Sequence, residues 1–74
     1  MKHPDFDPEY VFSHHTPTPE KLAHYDAIHA GARQFAEIIL AHSPASTDQT
    51  TALRLLREAA MMANAAVALG GRLK

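Results

Sequence analysis

Six histidines, seven Lys or Arg residues and eight Asp or Glu residues are the groups with which this 74-residue chain could do chemistry. The histidines (His3, His14, His15, His24, His29 and His42) invite a metal reading. No two of them stand four apart, the spacing that puts two ligands on one helical face; His24 and His29 differ by five. Glu20 and His24 are four apart, but one such pair lacks the companion carboxylates of a di-metal bundle. No metal site is expected. The absence of cysteine removes thiolate zinc sites, disulfides and a cysteine nucleophile. Ser13, Ser43 and Ser46 lie in no Gly-x-Ser-x-Gly elbow. Gly70-Gly71 closes a helical pattern rather than opening one, so there is no phosphate-cradling glycine loop. Neither an enzyme nor a cofactor is expected. Two features remain. His14-His15 stands at the mouth of the first long helical pattern, where it either swings over the helical body or merely packs. His29 and Arg33, four apart, form the only cationic pair inside that pattern and either meet an anion or stand solvated.

The elements that position these residues fall into three zones. Residues 1–20 hold four of the five prolines and a charge of −3, from Lys2 against Asp5, Asp7, Glu9 and Glu20. Proline removes backbone donors, so only a short helical turn fits, around Pro8 to Phe12. Phe6, Tyr10 and Phe12 are too apolar to stand in water, so this arm must lie against something. Thr18-Pro19-Glu20 then reads as a helix start: a cap, a proline in the first turn and an acid at the positive end of the dipole. Leu22, Tyr25, Ile28, Ala32, Phe35 and Ile39 follow at helical spacing, and Pro44 ends the run. Ser46 with Gln49 matches a capping box. Ala52, Leu55, Leu56, Ala59, Met62, Ala63 and Ala66 carry a second helix to a left-handed Gly70-Gly71 cap, followed by the short basic tail with Arg72 and Lys74. The expected organisation is an N-terminal arm, 1–17, and a hairpin domain, 18–74, with helices over about 19–42 and 47–69. The short connector makes the pair antiparallel.

A lone hairpin buries one stripe of each helix, yet from Ala59 to Leu69 the only polar side chain is Asn64. A helix that is apolar all round is a buried helix. The expected fold is therefore all-α: an antiparallel two-helix hairpin with a Pro-rich arm, assembled into a homo-oligomeric helical bundle. A subunit of a hetero-complex is the alternative. A net charge of −1 argues against a general binder of DNA or RNA polymers. The longest apolar run, Ala59 to Ala63, is five residues against the ~20 of a membrane span, and no signal-peptide stretch opens the chain, so a cytosolic location is expected.

The runs His14-His15-Thr16-Pro17, Tyr25-Asp26-Ala27-Ile28-His29 and Arg33-Gln34-Phe35-Ala36 resemble a phage helical-hairpin family. So does the more specific run Leu56-Arg57-Glu58-Ala59-Ala60-Met61-Met62-Ala63-Asn64-Ala65-Ala66-Val67-Ala68. The family comprises the phage anti-CBASS sponges and the related hairpin domain of an anti-Thoeris sponge, and the resemblance covers about residues 12 to 69. It implies a homohexamer in the host bacterial cytoplasm that binds cyclic oligonucleotide messengers such as cGAMP without cleaving them, so that the CBASS effector does not fire. It also implies cyclic-dinucleotide pockets between paired subunits and, in some members, separate cyclic-trinucleotide sites.

The carried-over cyclic-dinucleotide residues are His14, His15, His29 and Arg33. His14 stands where the family has a tyrosine that stacks on a base, and His15 matches. His29 stands where a phosphate-contacting Lys or Arg is usual; a neutral imidazole gives a hydrogen bond there and becomes a charge partner only on protonation. Arg33 keeps the family's basic residue one turn later. Asn64 matches and either hydrogen-bonds a base or holds a neighbouring helix. Leu69 replaces the arginine that serves the trinucleotide site, which leaves Arg72 as a candidate for its place, so that Asn64 and Arg72 mark a second nucleotide site or an interface. Rival functions are a sponge for an ADP-ribose-type Thoeris signal and a structural homo-oligomeric protein with no small ligand.

Overall fold

The computed structural model describes residues 2–74. It runs α1 (Pro8–Phe12), α2 (Pro19–His42) and α3 (Thr47–Leu69), and among the described residues there is no strand, only one isolated bridge between His3 and Phe6. The long helices lie where the apolar spacing predicts them, and their ends follow from local chemistry. Thr18 Oγ1 accepts from the Lys21 amide at 3.2 Å, with Pro19 behind it in the first turn. Ser46 Oγ accepts from the Gln49 amide at 3.1 Å. The capping box forms only by half. Gln49 does not reach back to the Ser46 amide; its Nε2 donates instead to the Ser43 carbonyl at 2.9 Å and to Ser43 Oγ at 3.2 Å. The tight turn brings the open carbonyl end of α2 within its reach, and one side chain thereby satisfies the exit of one helix from the entrance of the next.

At the other end of α3, Gly70 (φ 63°) and Gly71 (φ 78°) turn the chain through left-handed conformations. The Gly71 amide donates to Ala66 O at 2.9 Å and the Gly70 amide to Val67 O at 3.2 Å, the paired bonds of a Schellman motif. A Cβ at Gly70 would meet nothing within 4 Å, so the cost of a side chain there is conformational alone. Gly70→Ala is expected to lower stability by about 1–2 kcal/mol, read as a lower urea midpoint at unchanged slope.

The two long helices pack antiparallel, with Lys21 Nζ donating to Ala68 O at 3.1 Å across the open end. The arm closes over that end. Tyr10 Oη donates to Leu69 O at 2.7 Å, the Asp7 amide to Leu73 O at 2.6 Å, and Lys74 Nζ reaches Pro4 O at 3.2 Å. The arm thus lies on α3 and the tail, with Phe6, Tyr10 and Val11 half-buried. Phe12 departs from the expectation: it meets Phe6 edge-on at 6.1 Å but stays 79% exposed, because two helical residues on from Tyr10 it points to the other side of α1.

The result is a slab measuring 45 × 33 × 14 Å, one layer of helices thick. Its radius of gyration is 15.6 Å, against about 11 Å for a compact chain of this length. It exposes 6044 Å², where a compact protein of its mass exposes about 4,500 Å². Leu69 is the one buried apolar side chain among the described residues, while Phe35, Ile38 and Leu40 on α2 and Leu55, Met61 and Met62 on α3 stand about half exposed or more. Domains ordinarily bury such faces against a second layer.

Candidate ligand-binding site

α2 sets His29 and Arg33 one turn apart. His29 is exposed, and its Nε2 lies 3.3 Å from Nδ2 of Asn64 on α3. An amide nitrogen only donates, so Nε2 of His29 is the acceptor of this bond. The Asn64 Oδ1 is buried and has no partner. Asn64 therefore bridges the two helices of the hairpin, the helix-holding option left open by the sequence, and joins a residue expected at a second site to one expected at the first. The register of the helices, invisible in the sequence, makes this pairing.

Arg33 is 84% exposed and its Nε meets Glu37 Oε1 at 3.2 Å. Exposed pairs of this kind contribute about 0.2–1 kcal/mol. A charge-assisted bond to a phosphate contributes about 1.5–3 kcal/mol, so the guanidinium exchanges Glu37 for an anion at small cost. The i, i+4 spacing of Arg33 and Glu37 is the signal for this pair in the sequence.

The arm carries the other half. His14 is exposed and makes no hydrogen bond among the described residues. His15 turns inward: its Nε2 donates to Tyr10 O at 2.7 Å, and its ring meets the Tyr10 ring edge-on at 4.9 Å and 74°. Arg72 comes to the same tyrosine, its guanidinium carbon 4.8 Å from the ring centroid. Tyr10 is thus the residue on which the arm turns, a role its aromatic character alone does not disclose.

The structure assembles two clusters rather than one. No hydrogen bond, ion pair or ring contact among the described residues links His14 or His15 to His29 or Arg33. Nor is any group of three or more His, Asp or Glu residues placed to hold a metal ion among the described residues.

Against known families, the Acb2/Tad1 hairpin-domain model matches residues 7–68. The chain belongs to this family, the anti-CBASS and anti-Thoeris sponges. The Acb2/Tad1 match begins at Asp7, the N-cap of α1, and runs to the penultimate residue of α3. His14, His15, His29, Arg33 and Asn64 fall inside it, and Arg72 lies outside. Acb2/Tad1 hairpins are sponge-type binding domains. No curated protein and no solved structure gives a significant match to this chain.

Proposed function

We propose that this Acb2/Tad1 hairpin protein is a phage sponge that sequesters cyclic oligonucleotide messengers, cyclic dinucleotides such as cGAMP, without cleaving them, and so blocks CBASS immunity in the bacterial cytoplasm. Family membership across residues 7–68 carries the reading. The geometry supplies the means. A one-layer slab with apolar faces on both long helices calls for further copies, and a homohexamer is the assembly we favour. The pocket forms where two copies meet, the arm with His14 and His15 coming from one and His29 with Arg33 from its partner. An isologous two-fold presents every group twice, matching a ligand with two bases and two phosphates. One Arg33 guanidinium per chain becomes two per pocket, and an acidic protein thereby binds a dianion. Imidazoles of His14 cover the bases, while Arg33 and His29 face the phosphates. Asn64 is the residue of this chain that matches the pattern of a second, trinucleotide site.

A thermal-shift screen of cyclic di- and trinucleotides against ADP-ribose-type ligands tests the ligand class. Stabilisation by a cyclic dinucleotide, with the ligand recovered chemically unchanged after heating, is the expected result. Recovery of linear dinucleotide contradicts the sponge, and stabilisation by the ADP-ribose class alone moves the chain to the Thoeris reading. A defined oligomer that ignores every nucleotide leaves a structural role.

The His29 assignment has its own test: His29→Ala, read by calorimetry, is expected to weaken cyclic-dinucleotide binding severalfold, and an unchanged affinity contradicts the assignment.

A further inference from the structure

The arm, residues 2–17, has five helical residues and little packing of its own, and its bonds to the body converge on the last turn of α3 and the tail. The Schellman turn explains why the tail is there: with Gly70 and Gly71 both at positive φ, the chain reverses and Arg72 to Lys74 return across the arm. Leu73 O accepts from the Asp7 amide at 2.6 Å, and Lys74 Nζ lies 3.6 Å from Asp5 Oδ1. Next to these ties Arg72 covers the Tyr10 ring at 4.8 Å, while Tyr10 Oη is fastened to Leu69 O. Tyr10 also holds His15, by the ring contact at 4.9 Å and by the carbonyl that receives Nε2–H at 2.7 Å. Tail, Tyr10 and His15 form one continuous chain of contacts that ends beside His14.

From this we infer that Arg72 is a positioning residue for the nucleotide pocket: it acts through Tyr10 to hold the arm, and so sets where His14 and His15 stand, without touching the ligand. The inference rests on the reading that the arm histidines meet a cyclic dinucleotide. It assigns the cation outside the family's matched segment to the scaffold of the first site. A guanidinium engaged on a tyrosine ring by one face, with Nε donating to Lys74 O at 3.0 Å, is already committed within its own chain. Loosening the arm lowers the fraction of chains in which the histidines are correctly placed, and apparent affinity falls by that fraction.

The test is a double-mutant cycle of Arg72→Ala and Tyr10→Leu, read by calorimetry with cyclic GMP–AMP and by chymotrypsin cleavage of the ligand-free protein at the arm. Arg72→Ala alone is expected to weaken binding by about fivefold and to speed cleavage after Tyr10 and Phe12. Arg72→Lys, which keeps a cation over the ring, restores both. In the Tyr10→Leu background Arg72→Ala has no further effect, because the residue through which it acts is gone. An equal loss of affinity in both backgrounds, with cleavage unchanged, makes Arg72 a direct ligand contact and overturns the inference, as does an Arg72→Ala protein that binds and resists cleavage like the wild type. Cleavage is read without ligand, so a wild-type protein that ignores cyclic GMP–AMP defeats the functional reading, while an arm released by Arg72→Ala still upholds its tether.

Discussion

Arg33→Ala is expected to produce the largest loss of cyclic-dinucleotide affinity of any single substitution that leaves the assembly intact. The side chain is 84% exposed and its one partner is a carboxylate that is itself largely solvated, so the hairpin loses almost nothing with it. A charged hydrogen bond to phosphate contributes about 1.5–3 kcal/mol, and the two-fold doubles it. Both copies change together, so the expected weakening is about 100-fold or more. Glu37→Gln should act in the opposite sense. It frees Arg33 and removes a negative charge beside the phosphate, so affinity should rise a few-fold. Calorimetry on both variants, with circular dichroism and sedimentation to show the fold and assembly unchanged, reads the pair. An Arg33→Ala protein of undiminished affinity removes Arg33 from the pocket.

Met62→Glu is expected to take the assembly apart. Met62 is 67% exposed in the single chain, so a carboxylate there costs the isolated hairpin little. Where copies join through the apolar faces of α2 and α3, the same carboxylate is carried out of water without a partner, at a cost of several kcal/mol per interface. Ala63, one residue on, is half-buried already and a poorer probe, since a glutamate there disturbs the hairpin as well. Phe35→Glu tests the α2 face in the same way. Sedimentation should show Met62→Glu at a lower assembly state than the wild type, with helical content lowered only as far as assembly supports it. Unchanged sedimentation for both variants contradicts a bundle built on these faces.

Residues near in sequence decide the helices, and for that reason the helices were legible. Thr18 and Ser46 cap the amide three residues on, and Gly70 and Gly71 meet the terminal carbonyls within one turn, so each boundary is decided by short-range chemistry. Gln49 shows the limit. Its capping role competes with the Ser43 carbonyl, which only the folded turn brings near. The arm's docking was legible as a need and not as a place: Tyr10 meets Leu69 across 59 residues and Lys74 meets Pro4 across 70, with no periodicity to announce either. The partner of Asn64 was hidden for a related reason. An amide among alanines must find a partner, but that His29 provides it depends on the helix register. The spacing of four sets His29 and Arg33 one turn apart on α2, whereas the turning of His15 onto Tyr10 lies in a proline-rich stretch whose path no pattern describes. The division of the candidate site into two clusters is therefore a property of the folded chain alone.

The most direct measurement of the central claim, that ligand is held between copies, is native mass spectrometry through a dilution series with cyclic GMP–AMP present. The expected spectrum shows ligand on assembled species only, one for each pair of chains, disappearing in step with dissociation. A single 8.1 kDa chain that carries the ligand as tightly as the assembly does would contradict the account.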